Sequence, residues 1–359
     1  MPEISVILPV KNQQEFIEEA INSVYSQTFD DFELIVIDDG STDESSYILE
    51  RLKKKFQFKL ITHKKNQGIV SALNDGLENA RGKFIARMDG DDIMLPSRLE
   101  KQYEFLKENP DLDLIGCKVE IFKTPSKEPV YAGCRLKSLD IDLNSALKHI
   151  KEQTELSEGA KVYQRWNNSL ITHEQMFENL YIDCPIVHPT FFASTDFFNK
   201  LGGYRDTGYA EDYDLVFRAV YGGYKLGKVN EVLLKWRDHQ NRETRTNRNL
   251  KKDNLFYQKA YFFANFDERS KNGVYVIGVG RFGKKLIGAL KHHGVEVKGI
   301  LDFSGKRKNG EVRGIPVVSP EDMDEKSFLV LAYSFHQTPN KELKQFFNKN
   351  KHRTIPFVL

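Results

Sequence analysis

The sequence predicts an α/β protein built on a mixed, mostly parallel sheet, followed by a small C-terminal Rossmann-like α/β domain. Short apolar runs alternate with stretches of helical periodicity through the first hundred residues, and this β-α-β-α order requires crossovers between parallel strands. A second strand, glycine-rich turn and helix begin near Gly273. We therefore predict a first domain over residues 1–245, a helical linker over residues 246–272 and a second domain over residues 273–359.

The elements of the first domain follow in regular order. Four short, β-rich apolar runs are typical of buried strands, and they lie at residues 4–10, 32–37, 58–62 and 84–88. Three stretches carry one apolar stripe at helical spacing, and they lie at residues 13–26, 45–56 and 69–80. Residues 120–180 have only weak helical patterning, near 143–150 and 175–180, and we interpret them as an insertion over the sheet. An aromatic-rich helix is predicted at residues 253–266.

Composition excludes several classes of protein. The 359 residues carry a formal net charge of only +2, which argues against a general nucleic-acid binder. No apolar run approaches the roughly 18 residues that span a bilayer, and no basic segment or cleavage site of a signal peptide opens the chain. Three widely spaced cysteines suit a reducing compartment. We therefore expect a cytoplasmic protein.

Polar residues follow three of the predicted strands. These residues are Lys11 and Asn12, Asp38 and Asp39, and Asp89, Asp91 and Asp92. In parallel α/β sheets ligands bind at the carboxyl ends of the strands. Alternate carboxylates at such an end can reach one Mg²⁺ or Mn²⁺ ion, which prefers oxygen ligands and often shares them with substrate phosphates. A solvated acidic turn is the alternative for the aspartates.

Further motifs occur in a fixed order along the chain. They are Ser5-Val6-Ile7-Leu8-Pro9-Val10-Lys11-Asn12, Ser23-Val24-Tyr25-Ser26-Gln27-Thr28, Val36-Ile37-Asp38-Asp39-Gly40-Ser41, Asn66-Gln67-Gly68, Asn74-Asp75-Gly76, Met88-Asp89-Gly90-Asp91-Asp92, Pro96-Ser97-Arg98-Leu99, Ile186-Val187-His188-Pro189-Thr190, Gly202-Gly203-Tyr204, Glu211-Asp212-Tyr213-Asp214 and Trp236-Arg237-Asp238-His239. The ordered set resembles the family 2 glycosyltransferases over roughly the first 240 residues, although each motif alone is a weak signal.

The resemblance implies a GT-A fold, a nucleotide-sugar donor such as a UDP-sugar, and a Mn²⁺ or Mg²⁺ cofactor. The positions that it assigns to donor binding are Pro9, Val10, Asn12, Asp39 and Asp89. It makes Asp91 the direct metal ligand, Asp89 a ribose or metal-shell contact, and His239 a contact of the metal or the diphosphate. An ordinary surface histidine is the alternative for His239.

The resemblance also implies transfer with inversion to a hydroxyl acceptor, with Asp212 as the general base. Glu211 could raise the proton affinity of Asp212 by like-charge repulsion, and His188 matches the acceptor side. The alternative is that Glu211 and Asp212 only stabilise the first turn of a helix, where acidic side chains interact favourably with the helix dipole. Relatives build bacterial polysaccharides and glycolipids, so a saccharide or lipid-linked acceptor is expected. A nucleotide-sugar-binding protein without catalysis is the competing function, against which the complete set of aspartates argues.

A basic segment follows the last of these motifs. Residues 242–252 hold five basic side chains against one acid; the basic residues are Arg242, Arg245, Arg248, Lys251 and Lys252. A solvated linker face is one interpretation. The other is peripheral contact with the inner face of the membrane, through anionic headgroups or a lipid-linked pyrophosphate.

The C-terminal domain opens on a G-x-G-x-x-G run formed by Gly278, Gly280 and Gly283. The run follows a predicted strand at residues 274–277 and precedes a helix at residues 284–292. Asp302 lies 22 residues after Gly280, near the roughly 20 expected for a ribose-binding acid. Because the domain has only 87 residues and lacks a Tyr-x-x-x-Lys pair, we favour a docking or regulatory module over an enzyme that binds NAD. It resembles the small Rossmann-like modules appended to sugar-modifying enzymes.

Overall fold

The computed structural model describes residues 1–124, 155–239, 252–303, 310–332 and 341–357. The chain divides into two compact units. The first comprises Met1–His173, Ile186–Tyr204 and Tyr224–Thr246, and the second Glu174–Pro185, Arg205–Gly223 and Asn247–Leu359. The second unit thus gathers two short segments from earlier in the chain with the C-terminal part. The domain limits given above at residues 245 and 273 stay a prediction.

The strands and helices are numbered along the chain. The strands are β1 (Ile4–Val10), β2 (Phe32–Asp38), β3 (Lys59–Thr62), β4 (Phe84–Arg87), β5 (Ile93–Met94), β6 (Leu114–Phe122), β7 (Phe192–Ser194), β8 (Leu226–Arg237), β9 (Val274–Ile277), β10 (Val297–Leu301), β11 (Glu311–Val312), β12 (Ile315–Pro316), β13 (Phe328–Leu331) and β14 (Thr354–Pro356). The helices are α1 (Ile17–Tyr25), α2 (Ser45–Lys55), α3 (Ile69–Glu78), α4 (Arg98–Glu108), α5 (Glu158–Ser169), α6 (His173–Glu178), α7 (Thr195–Leu201), α8 (Glu211–Tyr221), α9 (Lys252–Phe266), α10 (Arg281–His292) and α11 (Lys341–Lys349).

The first unit is organised around a sheet in the order β3-β2-β1-β4-β7-β6-β8-β5. β1 to β4 run parallel, whereas β7 and β5 are antiparallel to their neighbours. Every residue of β1 is buried, because β1 is flanked by β2 and β4, and its apolar run is therefore continuous rather than alternating. This mixed, mostly parallel sheet confirms the predicted fold class.

The parallel pairing sets the position of the polar residues that follow these strands. β1, β2, β3 and β4 all end at the same edge of the sheet. The residues after β1, β2 and β4 are those that the sequence analysis singled out, and His63, directly after β3, joins them. The predicted helix at residues 13–26 begins only at Ile17, since the chain first makes a turn at residues 14–16. Asn12, before that turn, has a positive φ of 52°.

Two long strands of this sheet, β6 and β8, were not predicted. They pair in parallel from Leu114 opposite Leu226 to Phe122 opposite Arg237. Part of the segment interpreted as an insertion is thus a strand of the sheet itself, and α5 follows later in the same segment. The weak helical pattern at residues 143–150 and the side chains of the basic segment at residues 242–252 lie outside the described part of the chain.

The second unit contains a parallel sheet in the order β10-β9-β13-β14. This small α/β arrangement agrees with the predicted C-terminal module. An aromatic cluster joins the other segments of the unit: Tyr181 stacks on Phe357 at 4.7 Å, and Phe217 stacks on Phe262 at 4.4 Å between ring centroids. α9 is therefore a packed helix with one buried face. No helix among the described residues is long and apolar enough to cross a membrane.

Candidate active site

Three carboxylates lie together in the turn that follows β4. One oxygen each of Asp89, Asp91 and Asp92 can be chosen so that all lie within 4.8 Å of one another. The turn directly continues a buried central strand, which fixes its backbone at the carboxyl edge of the sheet. The structure therefore brings together the aspartates that the sequence assigned to metal and donor binding.

The three carboxylates have different surroundings. Asp92 is only 1% exposed, and its Oδ1 accepts a 2.8 Å hydrogen bond from the backbone N–H of Arg237. Asp89 and Asp91 are partly exposed, and their closest charged partners are Arg87, 2.6 Å from Asp89 Oδ1, and His239, 2.8 Å from Asp91 Oδ2. Asp92 therefore ties the turn to β8, while the other two carboxylates face solvent.

The donor set of this turn fits a divalent cation. Carboxylate oxygens of Asp89 and Asp91 are hard ligands suited to Mg²⁺ and Mn²⁺, and the neutral imidazole of a histidine is a common metal ligand. His239 Nε2 already contacts Asp91 Oδ2, so that one ion could meet both side chains. The residues predicted as metal ligands are thus close enough to act together.

Arg98 supports the acidic turn from below. Its side chain is fully buried, and its guanidinium donates to the backbone carbonyl of Arg87 and to Gln102 Oε1, both at 2.8 Å. Burial lowers the pKa of Arg98 to about 10, while nearby acids including Asp92 oppose that shift. The group stays charged at neutral pH. The sequence contained Arg98 within a motif, but nothing in the pattern indicated its burial.

Arg237 fixes the same turn from the side of β8. Its Nε donates to the backbone carbonyl of Asp91 at 2.6 Å, and its Nη2 lies 2.5 Å from Glu19 Oε2. The guanidinium lies between the rings of Phe16 and Phe122, 4.6 and 4.5 Å from their centroids. Such contacts require arginine, because its planar group can stack and donate at once.

A cleft of about 560 Å³ opens beside the ends of β1, β2 and β3, and its lining includes Lys11, Thr42 and Lys64. Asn12 borders it: the Asn12 Oδ1 accepts the backbone N–H of Thr42 at 2.8 Å. Pro9 and Val10, which were predicted to bind the donor, are buried within β1. Gly40 is required in the adjoining loop, since it has a φ of 64° and a Cβ there would lie 2.5 Å from the Lys65 backbone.

Asp39 lies beside the cleft with both carboxylate oxygens engaged by the protein. Oδ1 accepts the backbone N–H of Gln67 at 2.7 Å, and Oδ2 accepts that of Gly68 at 2.9 Å. The ring of His63 lies against the same carboxylate, with Nδ1 2.7 Å from Oδ1. Asp39 thus shapes the wall of the cleft. Sequence reasoning missed His63, since a single histidine after a strand carries no pattern.

Glu211 and Asp212 begin α8 and belong to the second unit. Both side chains are half-buried, and Asp212 Oδ1 accepts the N–H of Tyr213 at 2.7 Å. The start of the helix is held by Gln258, whose Nε2 donates to Ala210 O at 2.8 Å. Asp214, two residues further, is buried.

The charge of Asp214 is paired inside the second unit. Its Oδ2 lies 2.7 Å from Arg218 Nε, and a longer contact of 3.3 Å joins it to Arg205. Asp214 is therefore a structural acid, which leaves Glu211 and Asp212 as the carboxylates of this helix that could act on a ligand.

His188 was predicted on the acceptor side. The structure places it in a short 3-10 turn at His188–Thr190, where it is buried. Its Nε2 lies 3.0 Å from the hydroxyl of Tyr204, and its ring packs on Phe191 at 4.9 Å. These contacts give His188 a packing role in the first unit, and its place near an acceptor stays a prediction.

The glycine-rich loop of the second unit has a packing reason. A Cβ at Gly283 would lie 1.9 Å from the backbone oxygen of Gly278, and Gly278 has a φ of 114°. Gly280 directly precedes α10, and Asp302 directly follows β10. The glycines therefore allow close approach of helix and strand, and ligand binding by this loop or by Asp302 stays a prediction.

Comparisons with known proteins agree with this geometry. The model of the Glycosyl transferase family 2 matches residues 5–198, which is more than half of the chain. An uncharacterized glycosyltransferase of Haemophilus influenzae is 32% identical over 267 residues, covering 71% of this chain and 74% of that protein. EpsE of Bacillus subtilis is 29% identical over 242 residues, which cover 66% of this chain and 73% of that protein.

A solved structure shares the fold. Staphylococcus aureus TarS 1–349 in complex with UDP superposes with a TM-score of 0.50 at 19% identity, covering 82% of this chain and 72% of that one. At this identity the likeness concerns the fold alone, which is the GT-A fold that the ordered motifs predicted. The family model matches more than half of the chain, and the Haemophilus relative is 32% identical over 71% of it. The chain therefore belongs to glycosyl transferase family 2.

Proposed function

We propose that the chain is a metal-dependent, inverting glycosyltransferase that moves a sugar from a nucleotide-sugar to a hydroxyl group of a saccharide or lipid-linked acceptor. The proposed setting is bacterial-type polysaccharide or glycolipid assembly. One observation carries the proposal: a cleft at the ends of β1 to β3 lies at the same sheet edge as the solvent-facing carboxylates of Asp89 and Asp91. Membership of the family supplies the reaction class.

The cleft is suited to the nucleoside part of a donor. Its volume of about 560 Å³ lies within the range of roughly 300–1,000 Å³ that is usual for small-molecule sites. Lys11, Lys64 and Lys65 lie in its lining and give it a positive field for a phosphorylated ligand. UDP is bound by TarS, a protein of the same fold, so UDP-sugars are the first donors to test.

Asp91, Asp89 and His239 would hold the divalent ion. When bound, such an ion stabilises the negative charge that builds on the leaving diphosphate. Arg237 keeps the turn that carries these ligands in place, because its Nε donates to the Asp91 carbonyl. The backbone N–H of Arg237 donates to Asp92 Oδ1 and holds the end of β8, and His239 follows two residues later.

Inversion requires a carboxylate on the acceptor side. The acceptor oxygen bonds to the anomeric carbon while the bond from that carbon to the diphosphate breaks, and the base takes the hydroxyl proton. We assign this role to Asp212. Glu211 lies beside it in the first turn of α8, whereas the nearby Asp214 is paired with Arg218.

The proposal includes a cytoplasmic location with peripheral contact at the inner face of the membrane. The proposed contact is supported by the five basic residues of the segment 242–252. Each basic residue near an anionic membrane surface would contribute about 1 kcal/mol to the binding free energy. A lipid-linked acceptor would be presented at that surface.

Turnover of nucleotide-sugars by the purified chain tests the proposal. UDP-, GDP- and dTDP-sugars are offered separately, and release of the nucleoside diphosphate is measured with Mn²⁺, with Mg²⁺ and with EDTA. We expect release from a UDP-sugar that EDTA abolishes and either metal restores. Full activity in the chelator would refute the metal site, and tight donor binding without any turnover would favour the non-catalytic alternative.

A further inference from the structure

His63 is held between two carboxylates at the rim of the cleft. Its Nδ1 lies 2.7 Å from Asp39 Oδ1, and its Nε2 lies 2.7 Å from Asp75 Oδ2. The His63 side chain is 6% exposed, whereas that of Asp75 is 35% exposed. The three residues come from different elements: Asp39 follows β2, His63 follows β3, and Asp75 lies on α3.

This geometry defines the protonation state of the ring. An ionised carboxylate can only accept hydrogen bonds, so two such partners require both ring nitrogens to donate. His63 is therefore an imidazolium when both carboxylates are ionised and both contacts are made. Burial by itself lowers the pKa of His63, but the hydrogen bonds and charges of Asp39 and Asp75 outweigh that effect and raise the pKa above its ordinary value.

Other charged groups share the cleft with His63. Those in its lining are Lys11 after β1, Asp38 at the end of β2, and Lys64 and Lys65 after β3. Asp38 is fully buried and accepts hydrogen bonds from Ser41 and Ser46. The two carboxylates that touch the ring are Asp39 and Asp75, and they set its titration.

The contacts of Asp39 transmit the state of His63 to the wall of the cleft. Asp39 binds the N–H groups of Gln67 and Gly68, where the chain turns into α3 with a φ of 95° at Gly68. The backbone N–H of His63 also donates to the Asp38 carbonyl at 2.9 Å. The ring of His63 therefore connects three elements. It follows β3, it contacts Asp39 after β2, and Asp39 in turn binds the backbone at the start of α3.

We propose that His63, as an imidazolium, is a positioning residue that fixes Asp39 and with it the nucleoside cleft, so that affinity for the nucleotide falls as pH rises through the titration of His63. This inference rests on the proposed function, which assigns the cleft to the donor nucleotide. The sign follows from the raised folded pKa: the contact is fully present below the ordinary value of about 6.5 and is lost above it, as pH passes the raised value.

Asp75 allows a discriminating variant. Its carboxylate touches the far nitrogen of the ring, whereas the N–H groups of Gln67 and Gly68 are bound by Asp39. Asp75→Asn keeps the shape and an acceptor oxygen but removes one of the two charges that favour the imidazolium. The loss of nucleotide affinity should then occur at lower pH, with unchanged affinity at the acidic end.

The experiment measures binding of UDP, GDP and dTDP to the full chain by calorimetry with Mg²⁺, between about pH 5.5 and 9, across the range in which histidine titrates. For whichever nucleotide binds, we expect the wild-type affinity to fall by about tenfold or more across the titration of His63. In Asp75→Asn the midpoint should move to lower pH, because one of the two charges that raise the pKa of His63 is gone. His63→Asn, which has a donor but no charge, should bind weakly at every pH without that transition. The exposed His352→Asn is the matched control and should behave as the wild type.

Histidine NMR signals give the titration midpoint of His63 directly, and thermal unfolding checks that each variant is folded. A uniform loss of affinity in Asp75→Asn without a shift of the midpoint would mean a merely structural role and would overturn the proposal. Wild-type affinity and pH dependence in His63→Asn would do the same while leaving the proposed function intact. Failure of all three nucleotides at every pH would instead refute the proposed function.

Discussion

Substitution of two adjacent aspartates in the acidic turn should have different effects, one on the stability of the fold and the other on activity. Asp92 is buried and accepts the backbone N–H of Arg237. Asp91 is partly exposed and contacts His239. We expect Asp92→Ala to reduce the stability of the fold, and Asp91→Ala to remove metal-dependent transfer from a protein that is still stable.

The structure gives the size of the difference. In Asp92→Ala the N–H of Arg237 loses its acceptor, which costs about 1–3 kcal/mol for a buried group. The substitution also removes a negative charge near the fully buried Arg98, and an uncompensated buried charge costs up to about 3–5 kcal/mol. We therefore expect the free energy of unfolding to fall by about 2–5 kcal/mol. In Asp91→Ala a single side-chain contact with His239 is lost, which costs about 1 kcal/mol, and no backbone N–H loses its acceptor.

Urea denaturation of both variants measures the stabilities, and nucleotide release with Mn²⁺ is measured at a temperature where each is folded. Asp92→Asn is the matched control, because it keeps an oxygen that can accept the Arg237 N–H and should lose less stability than the alanine variant. Equal stability of Asp92→Ala and wild type would contradict the structural role of Asp92. Retained metal-dependent activity in Asp91→Ala would contradict its role as a ligand.

Three further outcomes are expected. Asp212→Asn should lower kcat by about 10²–10⁴ through loss of the general base with little change in donor affinity; near-normal turnover in steady-state kinetics would point to Glu211 instead. Burial lowers the pKa of Lys259 from its ordinary value to about 8, so between about pH 8 and 10 the unfolded chain binds a proton that the folded chain does not. Wild-type stability relative to Lys259→Met should then rise by up to about 3 kcal/mol over that range, and a flat difference in urea denaturation would contradict it. The chain should co-sediment with anionic liposomes at low salt and be released at high salt, and binding that persists after the arginines of residues 242–252 are replaced by glutamine would exclude that segment as the cause.

The parallel half of the first sheet could be predicted because its information is local. Each of β1, β2 and β4 is a short apolar run with a polar cluster directly behind it, and the β-α-β order determines that these clusters share one edge. The common position of Asp89 and Asp91 at that edge could be predicted for the same reason. Periodicity and connection order carry this information without any knowledge of distant contacts.

The strands β6 and β8 show why the rest could not be predicted. They pair across more than a hundred residues of intervening chain, and β8 includes a fully buried lysine, Lys228. Its ammonium donates to the backbone and side-chain oxygens of Asn167 on α5 at 2.5 and 2.9 Å. A lysine in a sequence favours a solvated position, and only the distant partner explains its burial. The role of His63 could not be predicted for the same reason, because its two carboxylate partners, Asp39 and Asp75, are distant from it along the chain.

The acidic turn depends on residues that its sequence motif does not display. Two unit charges 4.8 Å apart repel by about 3.5 kcal/mol at an effective dielectric constant of 20, so three aspartates at that spacing would separate if nothing opposed them. The buried Arg98 and Arg237 hold the backbone of the turn at the Arg87 and Asp91 carbonyls, and Arg87 itself pairs with Asp89. The positive charges of these arginines offset the repulsion among the three carboxylates without a bound cation. The three carboxylates are therefore held close together by arginines from β4, α4 and β8, and their spacing depends on side chains that lie outside the sequence motif.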